Sequence, residues 1–167
     1  MAFIEKTFQI DDSKKFFLLR HFFNFTIFFI SSIFFFLLLS KRFSKILSII
    51  GLLFFYLSPR IFAESFYNNK DIIFLSFFII SLFYAICFLN TPSYKNAFLL
   101  SITSSLAIAT RVMGIIVPFI VLIFFILRYF EKKSDIKKNI FKIIVFFFLT
   151  QYICTYFLAI FMEWPYK

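Results

Sequence analysis

The sequence predicts an all-α protein, a polytopic transmembrane helical bundle of about six membrane segments. Two features carry that prediction. Hydrophobic residues make up 62% of the 167 positions, Phe alone filling 33 of them, in apolar runs too long for a soluble core in so short a chain. The net charge of +10 is distributed between those runs and not along one basic face, as when cytoplasmic positive charge flanks membrane helices. No helix-turn-helix, zinc-knuckle or base-stacking pattern accompanies the charge, so nucleic acid is excluded as a partner and membrane lipid is expected instead. The abundance of Phe, Ile, Lys and Asn also fits drift toward A/T-rich codons, and single phenylalanines carry little information.

The elements follow in order. Residues 1–21 form a polar, extracytoplasmic lead-in. Glu5, Lys6, Asp11, Asp12, Lys14, Lys15 and Arg20 leave it no apolar core or cleavage site for a signal peptide. The first span, at about 22–40, is long enough to cross a bilayer and is closed by Lys41, Arg42 and Lys45. A second run at 46–57 is short for a crossing. The polar stretch Ser58–Asp71 separates it from a third span at 72–89, which stops at the turn signal Asn90-Thr91-Pro92. The next apolar run, 97–127, is too long for one helix and holds Arg111 near its middle. A charge at mid-bilayer costs about 2.5–3.5 kcal/mol. The run is therefore divided at Thr110-Arg111-Val112-Met113-Gly114 into spans at 97–110 and 115–127, with Pro118 suited to an early position in the second. The basic segment Arg128–Lys142 leads to a last span at 143–162, and residues 163–167 form a short extracytoplasmic end.

Lys and Arg set the orientation. With the N-terminus outside, Lys41, Arg42, Lys45 and Lys95 lie inside. So do Arg128, Lys132, Lys133, Lys137, Lys138 and Lys142, opposed in their segment only by Glu131 and Asp135. The stretch Ser58–Asp71, the break at Arg111, the Glu163-Trp164-Pro165 end and the lead-in with His21 then share one face and can line one cavity.

Chemistry has few places to reside. Ser58 and Pro59 suit the N-cap and first position of a short surface helix, which sets Arg60 and Glu64 on one face, four residues apart. That spacing serves an interfacial ion pair, or a cation aimed at a lipid-borne phosphate and held by Glu64. Asp71, just ahead of the third span, serves as a helix N-cap or as a surface carboxylate for a metal or an acceptor hydroxyl. Lys70 beside it anchors to phosphate headgroups or screens that carboxylate. Spacing does not separate these roles. Arg111 is an intramembrane ionisable residue and hence a functional candidate, snorkelling being the plain alternative. His21, the only histidine, makes no metal site by itself, and Cys87 and Cys154 read as small buried hydrophobes. Gly-rich phosphate loops, Ser/His/Asp arrangements and zinc motifs are absent, leaving hydrolase, kinase and soluble-dehydrogenase readings without residues.

The run Leu57-Ser58-Pro59-Arg60-Ile61-Phe62-Ala63-Glu64-Ser65-Phe66-Tyr67-Asn68-Asn69-Lys70-Asp71 and the later Ala109-Thr110-Arg111-Val112-Met113-Gly114 resemble bacterial membrane glycosyltransferases. The group is that of the dolichyl-phosphate-mannose–protein mannosyltransferases, in the GT-C superfamily. Arg20-His21-Phe22-Phe23-Asn24-Phe25 and Trp164-Pro165-Tyr166 are similar to other parts of the same pattern, so the resemblance covers nearly the whole chain. It implies a GT-C-like bundle in the bacterial inner (plasma) membrane. Such an enzyme moves a hexose from a polyprenyl-phosphate donor to a protein or lipid-linked glycan on the extracytoplasmic face. It further implies a catalytic role for Asp71, with Arg60, Glu64, Lys70 and Arg111 binding substrate. The cofactor is left unidentified, a divalent metal ion being the candidate.

One departure stands out. The family carries its principal acidic pair in a first extracytoplasmic loop after an initial span, and no apolar span precedes Asp11-Asp12. The chain is therefore expected to be an internal fragment of a longer enzyme, lacking the main catalytic loop, with its lead-in the tail of that loop. The alternative is a non-catalytic polytopic membrane subunit, or a component of a lipid-linked-glycan transporter.

Overall fold

The computed structural model describes residues 13–68, 70–131 and 134–163, and among them the only regular structure is helical. The elements are α1 (Ser13–Ser40), α2 (Lys45–Leu57), α3 (Pro59–Tyr67), α4 (Asp71–Asn90), α5 (Tyr94–Thr110), a 3₁₀ turn (Val112–Ile115), α6 (Ile116–Glu131) and α7 (Ser134–Glu163). The prolines fall where the helices begin or break. Pro59 occupies the first turn of α3, Pro92 lies between α4 and α5, and Pro118 is the third residue of α6. At each the missing N–H costs no helical hydrogen bond.

By length and composition two stretches are fit to cross a membrane, Phe17–Ser40 in α1 and Asp71–Asn90 in α4. Helices α2 and α3 add a third if they are taken as one span bent by 60°. The expectation of about six membrane segments is not met on this measure. Helix α5 has 17 residues, which at 1.5 Å per residue is about 25 Å, short of the roughly 30 Å hydrocarbon layer. Two helix limits also differ from expectation. Helix α1 starts at Ser13 and not near 22, and the basic segment is helical on both sides of residues 132–133. Hydropathy marks where apolar side chains stop, whereas the helical backbone runs on into polar flanks as long as its hydrogen bonds are made. The expectations for residues 1–12, for Lys132 and Lys133 and for residues 164–167 lie outside the described residues.

Helix α4 is the centre of the bundle. It packs on α1 along one side and on α5 along another, and it also meets α6; α5 in turn packs on α7. The short Thr91-Pro92-Ser93 connection folds α5 back antiparallel to α4. Helix α7 runs parallel to α5, since Ser101 meets Thr150 while Ser105 meets Gln151 further along both. A buried cluster of Ala85, Phe88, Ala97, Leu100, Val117, Val121 and Phe147 joins α4, α5, α6 and α7. Aromatic rings lock α1 to its neighbours. Phe34 lies edge-on to Phe83 with centroids 5.3 Å apart, and Phe28 stacks on Phe55 at 5.5 Å. Outward-facing Ile46, Phe54, Leu57 and Phe119 remain exposed, as lipid-facing positions of a membrane protein do.

Between α5 and α7 runs a polar seam. Ser101 Oγ lies 2.6 Å from Thr150 Oγ1, and Ser104 Oγ donates to Gln151 Oε1. Small residues let two backbones approach, and their hydroxyls hydrogen-bond across the gap where no hydrophobic force acts between helices in lipid. The amide Nε2 of Gln151, a residue only 7% exposed, has no hydrogen-bond partner among the described residues. Periodicity gave no sign of this seam, because the Ser and Thr positions were read as part of apolar runs.

Candidate functional site

Antiparallel packing of α4 and α5 decides where the charged residues meet. Asp71 opens α4 and Arg111 follows the end of α5, so both stand at the same end of the hairpin. Arg111 has extended backbone (φ −150°, ψ 135°) between α5 and the 3₁₀ turn, its N–H still bonded to Ala107 O at 3.0 Å. Gly114 returns the chain tightly against α5. A Cβ there would come within 2.6 Å of backbone atoms of Ala107 and Ile108. This turn aims the Arg111 guanidinium at Asp71 Oδ1, and the two form an ion pair with side chains 47% and 42% exposed.

Asp71 is not the helix cap that its position suggested. The capping side chain is Asn68, which stands at the joint of α3 and α4. Its own N–H bonds to Glu64 O at 2.9 Å and ends α3. Its carbonyl accepts the Ile72 N–H at 3.3 Å and starts α4. Its side-chain Oδ1 accepts the Asp71 N–H at 3.1 Å, and its Nδ2 donates to Asp71 Oδ2 at 2.9 Å. A cap bond to a first-turn N–H is what an Asn side chain does well, and Asp71 itself gains from the positive end of the helix dipole. The Asn-x-x-Asp spacing was visible in sequence as a cap followed by an acid three residues on.

The remaining sequence candidates lie around this pair. Arg60 Nε donates to Glu64 Oε1 at 3.1 Å, with Arg60 88% exposed, which fits the interfacial ion pair. Ser58 holds the N-cap position and Pro59 opens α3 as expected, although no side-chain cap bond from Ser58 forms. Lys70 is exposed at the entry to α4. His21 comes to the same end from α1, where its Nδ1 bonds to Phe66 O. A carbonyl only accepts, so Nδ1 carries the proton and satisfies one of the last carbonyls of α3. Beside it Phe25 stacks on Phe66 with centroids 5.0 Å apart. His21, Asn68, Asp71 and Arg111 are thus gathered at one end of the bundle.

At the opposite end Lys41 Nζ lies 2.8 Å from Cys87 Sγ and 4.1 Å from the centre of the Phe83 ring. Cys87 is therefore half-buried and paired, not the plain hydrophobe its setting implied. Two apolar crevices lie away from Asp71 and Arg111. One, of about 110 Å³, is lined by Phe88, Val121 and Phe147 among others, and the second, of about 280 Å³, by Ile102, Leu106, Ile153, Cys154 and Leu158.

No group of three or more His, Cys, Asp or Glu side chains that could hold a metal ion occurs among the described residues. Asp71 faces a guanidinium, so this donor set does not fit a divalent ion.

A carboxylate and a guanidinium are thus paired at one end of a helical bundle. The family profile of the dolichyl-phosphate-mannose–protein mannosyltransferases matches residues 4–161, and the chain belongs to that family. It is accordingly an integral membrane protein of a glycosyltransferase family. No curated protein and no solved structure matches it.

Proposed function

We propose that this chain forms part of an integral-membrane glycosyltransferase of the GT-C type. In this reading a hexose moves from a polyprenyl-phosphate donor to a protein or lipid-linked glycan acceptor on the extracytoplasmic face of a bacterial inner membrane. The observation that supports the reading is the Asp71–Arg111 ion pair, formed by two residues far apart in sequence and both partly open to solvent.

The chemistry follows from the two groups. The acceptor oxygen forms a bond to the anomeric carbon of the sugar as the bond from that carbon to the phosphate oxygen breaks. Asp71, ionised and accepting, takes the proton of the acceptor hydroxyl. The electron pair leaves on the polyprenyl phosphate, and Arg111 stabilises that charge. A guanidinium has five donors in a planar fork, and the pair with Asp71 uses one nitrogen, Nη2, leaving others for phosphate oxygens. Arg60 and Lys70, exposed nearby in sequence, attract the anionic donor to this end of the bundle, and Glu64 holds Arg60 in place.

The test is transfer of radiolabelled hexose from polyprenyl phosphate in membranes containing the full natural chain, compared with Asp71→Asn and Arg111→Gln. Each substitution is expected to lower transfer by at least about a hundredfold, the usual scale for a general base or an oxyanion donor. Undiminished transfer by both variants, at equal membrane content, overturns the reading in favour of a non-catalytic subunit or transporter component.

A further inference from the structure

Asn68 makes two bonds to one residue, and their chemistry fixes which way its amide faces. The Asp71 N–H can only donate, so the atom 3.1 Å from it must be the amide oxygen. The ionised Asp71 carboxylate can only accept, so the atom 2.9 Å from Oδ2 must be the amide nitrogen. The amide therefore closes a ring with a single residue and holds Oδ2, while Oδ1 turns to Arg111. The Asn68 N–H bonds to Glu64 O and its carbonyl accepts the Ile72 N–H, so the residue is anchored to both helices.

We propose that Asn68 is a positioning residue of the site. It acts through Asp71, setting the plane of the carboxylate so that one oxygen meets Arg111 and the other is directed by a neutral donor. This rests on the reading of Asp71 as the proton acceptor in sugar transfer. The role is more than helix capping, because capping uses only the amide oxygen. Ser and Asp cap helices about as well as Asn, and neither supplies a neutral N–H₂ toward Oδ2.

Asn68→Asp separates the two roles. It keeps an acceptor for the Asp71 N–H and replaces the donor with an oxygen, so that two carboxylates face one another. The two like charges repel one another, and the Arg111 guanidinium on Oδ1 offsets only part of that repulsion.

The experiment measures the melting temperature and the sugar-transfer kinetics of the full chain in detergent or proteoliposomes at pH 7, for wild type, Asn68→Asp, Asn68→Ser, Asp71→Asn and the double variant Asn68→Asp with Asp71→Asn. In Asn68→Asp, kcat is expected to fall at least about tenfold with KM little changed. Its melting temperature should lie below wild type, a loss removed by adding Asp71→Asn. Asn68→Ser should melt near wild type and still lose turnover. A pure capping role predicts wild-type turnover and near wild-type melting in both Asn68 variants, and that result overturns the proposal. Should Asp71→Asn itself leave transfer intact, the sugar-transfer reading fails, while the melting of Asn68→Asp with and without Asp71→Asn still reports whether the amide faces the carboxylate.

Discussion

Exchanging the charges of Asp71 and Arg111 asks whether this pair holds the α4–α5 hairpin closed at its open end. Its magnitude can be worked from exposure. At about 4 Å two unit charges interact by about 1 kcal/mol in water and about 4 kcal/mol at an effective dielectric near 20. Side chains 47% and 42% exposed belong near the lower figure, so about 1 kcal/mol is taken for the pair. Arg111→Asp replaces that attraction with a repulsion of similar size, a loss of about 2 kcal/mol. Asp71→Arg loses the same amount and also the bond from Asn68, for about 3 kcal/mol in all. The double exchange restores opposite charges and keeps only the Asn68 deficit of about 1 kcal/mol. At about 2–4 °C per kcal/mol for a chain of this size, the three variants separate in a thermal melt in mild detergent. Additive losses in the double variant, about 5 kcal/mol, would refute the pairing. In the proposed reaction none of the three variants transfers sugar: Asp71→Arg and the double exchange lack the proton acceptor, and Arg111→Asp lacks the donors for the leaving phosphate.

The two glycines should respond differently to Ala. At Gly114 a Cβ meets the backbone of Ala107 and Ile108 at 2.6 Å, so Gly114→Ala should cost about 1–3 kcal/mol in thermal stability and, by displacing the turn, also lower transfer. At Gly51 the nearest atom is the Leu39 side-chain end at 2.7 Å, which can rotate; with the gain in helix propensity, Gly51→Ala should melt within about 1 kcal/mol of wild type. In the α5–α7 seam, Ser104→Ala should cost about 0.6–1.7 kcal/mol by leaving Gln151 Oε1 without its donor. Gln151→Leu should be neutral or stabilising in the same melt, because it removes an amide whose Nε2 already lacks a partner.

Much of the helical layout was legible because apolar runs and turn signals are local. Asn90-Thr91-Pro92 ended α4, and the Arg111 break was required by the cost of a charge in hydrocarbon. The meeting of Asp71 and Arg111 was half legible. Placing both on one face followed from the order of the segments, whereas contact depends on α4 and α5 being nearly equal in length, at 20 and 17 residues. What sequence reading missed depends on side-chain direction. Asn68 was one polar residue among several, and only its place at the joint of α3 and α4 brings both ends of its amide onto Asp71. The Ser101, Ser104 and Gln151 contacts were hidden because hydropathy averages small polar residues into their apolar neighbours. Of about six expected membrane segments, two to three reach crossing length among the described residues, and the shorter apolar helices Val112–Phe124 and Ile144–Tyr156 fall below it.

Asp71 and Arg111 occupy positions that suit chemistry better than stability. A half-exposed ion pair contributes about 1 kcal/mol at most, while a buried aromatic or aliphatic contact at the same place would contribute more. The chain nevertheless fixes this pair from three directions: a buried Gly114 that sets the turn, an extended Arg111 backbone, and an Asn68 amide that orients the carboxylate. Three devices converging on a weak contact are hard to explain by the energy of that contact. They are explained if the guanidinium must stay available to an anion and the carboxylate must keep a set direction when the anion arrives. In the proposed reaction an incoming phosphate competes with Asp71 for the Arg111 donors. A carboxylate released from Arg111 but still held by Asn68 then has one oxygen free to take a proton.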